Sequence, residues 1–181
     1  MDSSIRKADF NDIPVLQELI GSSVRELSRD YYTRGQIESA LKYIFGVDTQ
    51  LLVDGTYYVA EAGGEIIACG GWSRRHTLYG GDNHKSEADP LLDPATDAAR
   101  IRAFFVRPEW ARKGIARKMI GFCEEEAMRH GFKKMELGAT LPGVPLYSAL
   151  GYEPYSQTRV PMPDGEGLEV IRMGKLLGEK A

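Results

Sequence analysis

Three cations, Arg112, Lys113 and Arg117, cluster around Gly114 and Ala116, where the run Phe104-Phe105-Val106 gives way to an amphipathic segment. The aromatic and β-branched run reads as a buried strand. Pro108 has no N–H for a ladder and ends it. The next segment opens with Gly114, Ile115 and Ala116, so its first turn carries little side chain. A helix start leaves several backbone N–H groups unpaired and adds partial positive charge. Small residues let a ligand come close to that backbone. Cations at a helix N-terminus are slightly unfavourable, so three together need a reason. The chemistry this spacing suits is the binding of a polyanion, most simply a pyrophosphate. Neither Gly-x-x-x-x-Gly-Lys-[Ser/Thr] nor Gly-x-Gly-x-x-Gly occurs, which sets aside the P-loop and the Rossmann fingerprint.

A second block lies downstream, Leu146-Tyr147-Ser148-Ala149-Leu150-Gly151-Tyr152. It reads as a short helix closed by Gly151. With Val106-x-Pro108 and Arg112-Lys113-Gly114-Ile115-Ala116, it resembles the paired signatures of the GNAT superfamily of N-acetyltransferases. The first of these is commonly written [Gln/Arg]-x-x-Gly-x-[Gly/Ala]. Gly114 and Ala116 match it; its first position falls on Ala111, one place before Arg112. The second resembles the Leu-Tyr-x-x-Leu-Gly-[Phe/Tyr] helix of the same superfamily. The order and interval of the two blocks fit as well.

Composition bounds the other classes. The 181 residues are 43% hydrophobic and 27% charged, enough for one domain with a sizeable core. A net charge of −3 argues against bulk nucleic-acid binding. Cys69 and Cys123 fall in apolar patterns and read as buried thiols in a reducing compartment. The three histidines do not cluster with them, so no metal is expected. No signal-peptide core and no long apolar run is present; the expected location is cytoplasmic, without a membrane partner.

The elements that must position these residues follow from periodicity. Ile5–Ala8 is a first strand. Ile13, Leu16, Ile20, Val24 and Leu27 recur at helical spacing. Thr33 and Gln36 form a capping box for a second helix carrying Ile37, Leu41, Ile44 and Phe45. Residues 56–61 and 65–72 are strands joined across Gly63-Gly64. Gly70-Gly71 at the end of the second marks a bulge or a close backbone approach. Residues 100–106 form the central strand and 113–130 the third helix, ended by Gly131. Strands at about 135–138, 152–160 and 168–176 complete the chain. The segment 73–99, with Gly80-Gly81, Asp89-Pro90 and Asp93-Pro94, reads as an inserted loop. Its composition predicts a mobile stretch that the fold does not need.

The expected fold is α/β: one domain over 1–181, a mixed central sheet of about six or seven strands, and helices on both faces. The resemblance implies that the sheet is splayed at its two central strands. It also implies acetyl-CoA as co-substrate, its pantetheine arm along the backbone of Phe104, Phe105 and Val106. The pyrophosphate would sit on Arg112, Lys113, Gly114, Ile115, Ala116 and Arg117. Thr140 falls where the family often has Asn and is assigned to the same side. Tyr147 takes the family's general-acid position, facing the CoA sulfur. Tyr31 and Tyr32, between the first two helices, and Trp72 are assigned to the acceptor; one of the two tyrosines is expected to pack as core instead.

The general base has no assigned residue. Arg102, Ala103, Phe104 and Phe105 occupy the run where many relatives carry a Glu, and Glu26, Asp30 and Glu61 read first as solvated charges. The expected activity is acetyl transfer to a small primary amine by direct attack in a ternary complex, by a monomer or homodimer. A protein or peptide amine as acceptor, and a non-catalytic acyl-CoA sensor, are the alternatives.

Overall fold

The computed structural model describes residues 2–85 and 88–178. Ser86 and Glu87, inside the expected insertion, lie outside the described residues. Among the described residues seven strands form one sheet: β1 (Ser4–Lys7), β2 (Tyr57–Ala62), β3 (Glu65–Ser73), β4 (Ala99–Val106), β5 (Lys134–Thr140), β6 (Glu153–Pro161) and β7 (Gly167–Leu176). Their order is β1-β2-β3-β4-β5-β7-β6. Every neighbouring pair is antiparallel except β4 and β5.

The β4–β5 pair decides the shape of the molecule. Only Ala99↔Met135 and Arg100↔Glu136 are in register, at the base of both strands. Beyond them β4 pairs with β3 and β5 with β7, so the two central strands part company. On the other side of β4 the register jumps from Cys69↔Phe105 to Gly71↔Arg102. Ala103 and Phe104 thus oppose Gly70 alone, a β-bulge, with Ala103 left-handed at φ 54°. Gly70 is required there, because a Cβ would lie 2.5 Å from the Phe104 ring. Gly71 is required by close approach to β2, where a Cβ would meet the Thr56 carbonyl at 2.2 Å. Both readings of that glycine pair therefore hold, one at each glycine.

Helices cover both faces. On one, α1 (Ile13–Leu27) and α2 (Arg34–Tyr43) bury Leu16, Leu19, Ile20, Val24 and Ile37 against Val59, Cys69 and Val170. The Thr33–Gln36 capping box is present in both directions. On the other, α4 (Ile115–Arg129) lays Met119, Ile120, Cys123 and Ala127 on Ile67, Ile101, Leu137 and Met173. A short α5 (Val144–Ala149) follows β5. Both cysteines are buried and free, and burial pushes the Cys69 thiol up to about 12. No helix among the described residues is long and apolar enough to cross a membrane.

The sequence reading omits one helix, α3 (Thr49–Asp54), capped by the Asp48 side chain on the Gln50 N–H at 3.0 Å. The omission matters for the 73–99 segment, which is not the loosely held loop its composition predicts. Arg75 grips Asp54 of α3 through both carboxylate oxygens at 2.7 and 2.9 Å. The Asn83 amide donates to the Lys42 and Phe45 carbonyls at the end of α2. Leu78, Leu92 and Ala98 are buried. Composition underestimates this segment because a few well-placed polar side chains, rather than an apolar stripe, hold it.

Candidate active site

Where β4 and β5 diverge, a cleft of about 640 Å³ runs through the sheet. Its donor end is built from backbone. Arg112 (φ 60°) and Gly114 (φ 81°) are both left-handed, and Gly114 is the N-cap of α4. No side chain caps that helix; its first repeating bond is Lys118 N–H to Gly114 O at 3.0 Å. The N–H groups of Ile115, Ala116 and Arg117 precede that bond and have no helical acceptor. A Cβ at Gly114 would meet no atom within 4 Å, so the surface before α4 is open to an anion. Turns with left-handed residues beside a helix start form concavities of this kind. Arg112, Gly114, Ile115, Ala116 and Arg117 line the cleft. Lys113 does not; its Nζ sits 5.1 Å from the Trp110 ring centroid.

Phe104, Phe105, Val106 and Thr140 also line the cleft, on the diverging strands. The Val106 N–H donates to Ser23 Oγ of α1 at 3.3 Å. The bulge itself is tied down: Tyr57 Oη donates to the Ala103 carbonyl at 2.9 Å. That bond fixes the one left-handed residue of β4 from the fully buried side of the strand. Tyr147, on α5, forms part of the wall, with only 9% of its surface exposed. Its ring meets Tyr152 edge-on at 5.8 Å, and burial raises its hydroxyl well above the ordinary phenol value. At neutral pH it therefore holds its proton.

The acceptor end is built from side chains of four separate stretches. Leu27 and Tyr31 come from the end of α1 and the connection after it, Phe45 and Gly46 follow α2, Leu78–Gly81 come from the long loop, and Pro142 and Pro145 lie just before and at the start of α5. Of the three residues assigned to an acceptor from sequence, only Tyr31 is on this wall. Tyr32 is core: its hydroxyl donates to the Glu169 carbonyl at 2.7 Å and accepts the Leu141 N–H at 2.8 Å. Burial pushes that hydroxyl up to about 12. It works as a strut between the α1–α2 connection and the ends of β5 and β7. Trp72 is fully buried on the α4 side of β3, 6.1 Å from Phe132 and 5.0 Å from His130 ring to ring. Its bulk on a strand of alternating faces sends it into the opposite core.

Phe45, Leu78 and Tyr79 are wall residues that sequence reasoning misses. The signal for them is indirect. Arg102 is a cation in a central strand, only 1% exposed. It donates to Asp48 Oδ2 at 2.9 Å and to the Gly80 carbonyl. Lys85 Nζ sits on the other Asp48 oxygen at 2.6 Å. Burial lowers the Arg102 pKa, and Asp48 works against that. A buried Arg demands such a partner, and here the demand fastens residues 77–85 over the cleft. Glu26 pairs with Arg29 and Glu61 with Arg6, and neither these nor Asp30 line the cleft. Among the described residues no cluster suited to a metal ion is present.

The comparisons with known proteins agree with this geometry. The model of the Acetyltransferase (GNAT) family matches residues 22–152, well over half of the chain. No curated protein sequence matches. Solved structures of the same fold include a GCN5-related N-acetyltransferase from Rhodopseudomonas palustris, 18% identical with a TM-score of 0.73, over 98% of this chain and 97% of that one. The PaiA N-acetyltransferase from Thermoplasma acidophilum, in complex with coenzyme A, is 17% identical with a TM-score of 0.66, over 97% and 99% of the two chains. YncA from Salmonella typhimurium, with its cofactor acetyl-CoA, is 19% identical with a TM-score of 0.64, over 100% and 97%. The open N–H groups in the first turn of α4, and the facing edges of β4 and β5 that do not pair beyond Arg100 and Glu136, suit a polyanion with an extended arm. The chain belongs to the Acetyltransferase (GNAT) family.

Proposed function

We propose that the protein acetylates a small primary amine by direct attack in a ternary complex. The observation that carries this reading is an acceptor end walled by apolar and aromatic side chains from several elements. The loop residues 78–81 wall it against Tyr31 and Phe45, where a peptide would need an open groove. In this reading the N–H groups of Ile115, Ala116 and Arg117 and the side chains of Arg112 and Arg117 hold the pyrophosphate. The edge of Phe104–Val106 that β5 leaves unpaired takes the pantetheine arm as an added strand. A backbone N–H of that strand stabilises the oxyanion as the amine adds. Tyr147 gives its proton to the departing sulfur; its burial keeps it protonated until then. Acetyl-CoA supplies the acyl group. The test is a panel of small amines and of peptides, scored by CoA release with acetyl-CoA. Turnover of peptides alone would overturn the choice of acceptor.

A further inference from the structure

We infer that the acceptor is a weakly basic amine on an aromatic body, an aniline-type or amino-heteroaromatic compound that is uncharged at neutral pH. The inference rests on the acetyltransferase reading and narrows its substrate. Its basis is what the acceptor wall contains: Leu27, Tyr31, Phe45, Leu78, Tyr79 and Phe105. Among the described residues, no Asp, Glu, His or Lys lines any part of the cleft. The charged side chains on it are Arg112 and Arg117, at the donor end.

Three carboxylates among the described residues are committed elsewhere. Asp48 is fully buried between Arg102 and Lys85. Asp82 accepts the Thr49 N–H at 3.0 Å, and Glu18 is held by Arg107. The His84 ring lies 5.6 Å from that of Tyr79 and is not part of the wall. Among the described residues lining this pocket, an alkylammonium would find neither a counter-ion nor a base. Leaving a charge so placed unpaired is costly. Aromatic faces attract a cation, but they do not take its proton, and an ammonium has no lone pair for the thioester. With a lysine-like pKa of about 10.4, only about one alkyl amine in 2,500 is neutral at pH 7. An aromatic amine avoids that discount, because its lone pair is delocalised and its nitrogen is already neutral.

The wall is also aromatic and is fastened to the fold. Phe45 and Phe105 meet edge-on at 6.0 Å. Tyr79 lies against Gly138 of β5, where a Cβ would come within 2.9 Å of its ring. The Gly81 N–H donates to Ile44 O at 2.8 Å, and a Cβ there would strike the Gly46 carbonyl. Aromatic side chains favour edge-to-face or offset contact with an aromatic guest. The proton count closes without an outside base. The nitrogen lone pair forms the C–N bond to the acetyl carbon, the C–S bond breaks, and sulfur takes the Tyr147 proton. The proton shed by nitrogen then restores Tyr147, so one proton moves from nitrogen to sulfur overall.

The test compares an aniline with the matching benzylamine and with 1,4-diaminobutane, by acetyl-CoA-dependent CoA release from pH 6.5 to 9. At pH 7 the aniline should exceed both alkyl amines in kcat/KM by at least about tenfold. Its profile should be flat, while the alkyl amines rise about tenfold per pH unit. An alkyl amine that matches or beats the aniline at pH 7 overturns this inference and leaves the acetyltransferase reading standing. Failure of every amine, with acetyl-CoA still bound in a thermal-shift assay, overturns both.

Discussion

The two ends of the cleft are made of different materials. The donor end is main chain: three N–H groups in the first turn of α4, two left-handed residues just before it, and strand edges freed by the splay. The acceptor end is side chain, assembled from four stretches that are remote in sequence. A main-chain site constrains only a few small residues at fixed spacing. A side-chain site constrains long-range contacts, which leave no local pattern. This predicts that the two ends can be damaged separately.

The largest effect is expected at the anchor of the acceptor wall. Asp48→Ala strips the carboxylate from Arg102 and Lys85 and removes the cap of α3. Breaking a buried pair in this way costs about 3–5 kcal/mol. At roughly 2–4 °C per kcal/mol for a chain of this size, Tm should fall by about 6–20 °C. The stabilisation by acetyl-CoA should persist in what remains folded. A Tm within 2 °C of wild type, roughly the value of 1 kcal/mol, would mean the network does not hold the wall. By the same argument, replacing residues 78–95 with a Gly-Ser linker should destabilise the protein markedly.

Damage at the donor end should do the reverse. Gly114→Asp places a negative charge beside the three free N–H groups, at a φ of 81° that side chains rarely adopt. Ligand at 100 times Kd stabilises by about 2.7 kcal/mol, and that thermal shift should vanish. Gly114→Ala is the control: strain without charge, in open space, should keep most of the shift. A full shift in the Asp variant would put the pyrophosphate elsewhere.

Tyr147→Phe acts where the two ends meet. It removes a hydroxyl and almost no volume, so acetyl-CoA affinity should hold while kcat drops by about 10². An unchanged kcat on a good acceptor would remove the acid role from Tyr147.

The same contrast explains what can be read from the chain. Gly114, Ala116 and Tyr147 are spaced by local geometry, so the donor end and the fold are legible in the amino-acid sequence. Periodicity places α1, α2 and α4 because each carries its own apolar stripe. Tyr31 and Tyr32 are adjacent and chemically identical, and only the Glu169 carbonyl and the Leu141 N–H make Tyr32 the strut. Trp72 goes to the wrong site on sequence grounds because strand alternation does not say which face holds the cleft. Composition misjudges the long loop because its order comes from Arg75, Asn83 and Lys85 reaching residues far away in sequence. Arg102, a charge inside the central strand, is the available clue.

The smallest effect sharpens the comparison by isolating one tether of that loop. Arg75 holds the Asp54 carboxyl below the usual carboxylate value, chiefly through their hydrogen bonds. The folded state therefore takes up this proton at lower pH than the unfolded chain does. The pair's contribution is complete above the unfolded value of about 3.9 and is lost as pH falls through the lower folded value. The Arg75 side chain is 22% exposed and that of Asp54 is 4% exposed, so solvent screens the pair only in part. Asp54→Asn should lower stability by about 1 kcal/mol at pH 7, or 2–4 °C in Tm. The gap between variant and wild type should be constant from pH 5 to 8, narrow below about pH 4 and go on closing as pH falls through the lower folded value. A gap that persists unchanged into strong acid would show that Asp54 acts through packing and not through its charge. At pH 7 the acetyl-CoA shift should match wild type, because neither Arg75 nor Asp54 lines the cleft.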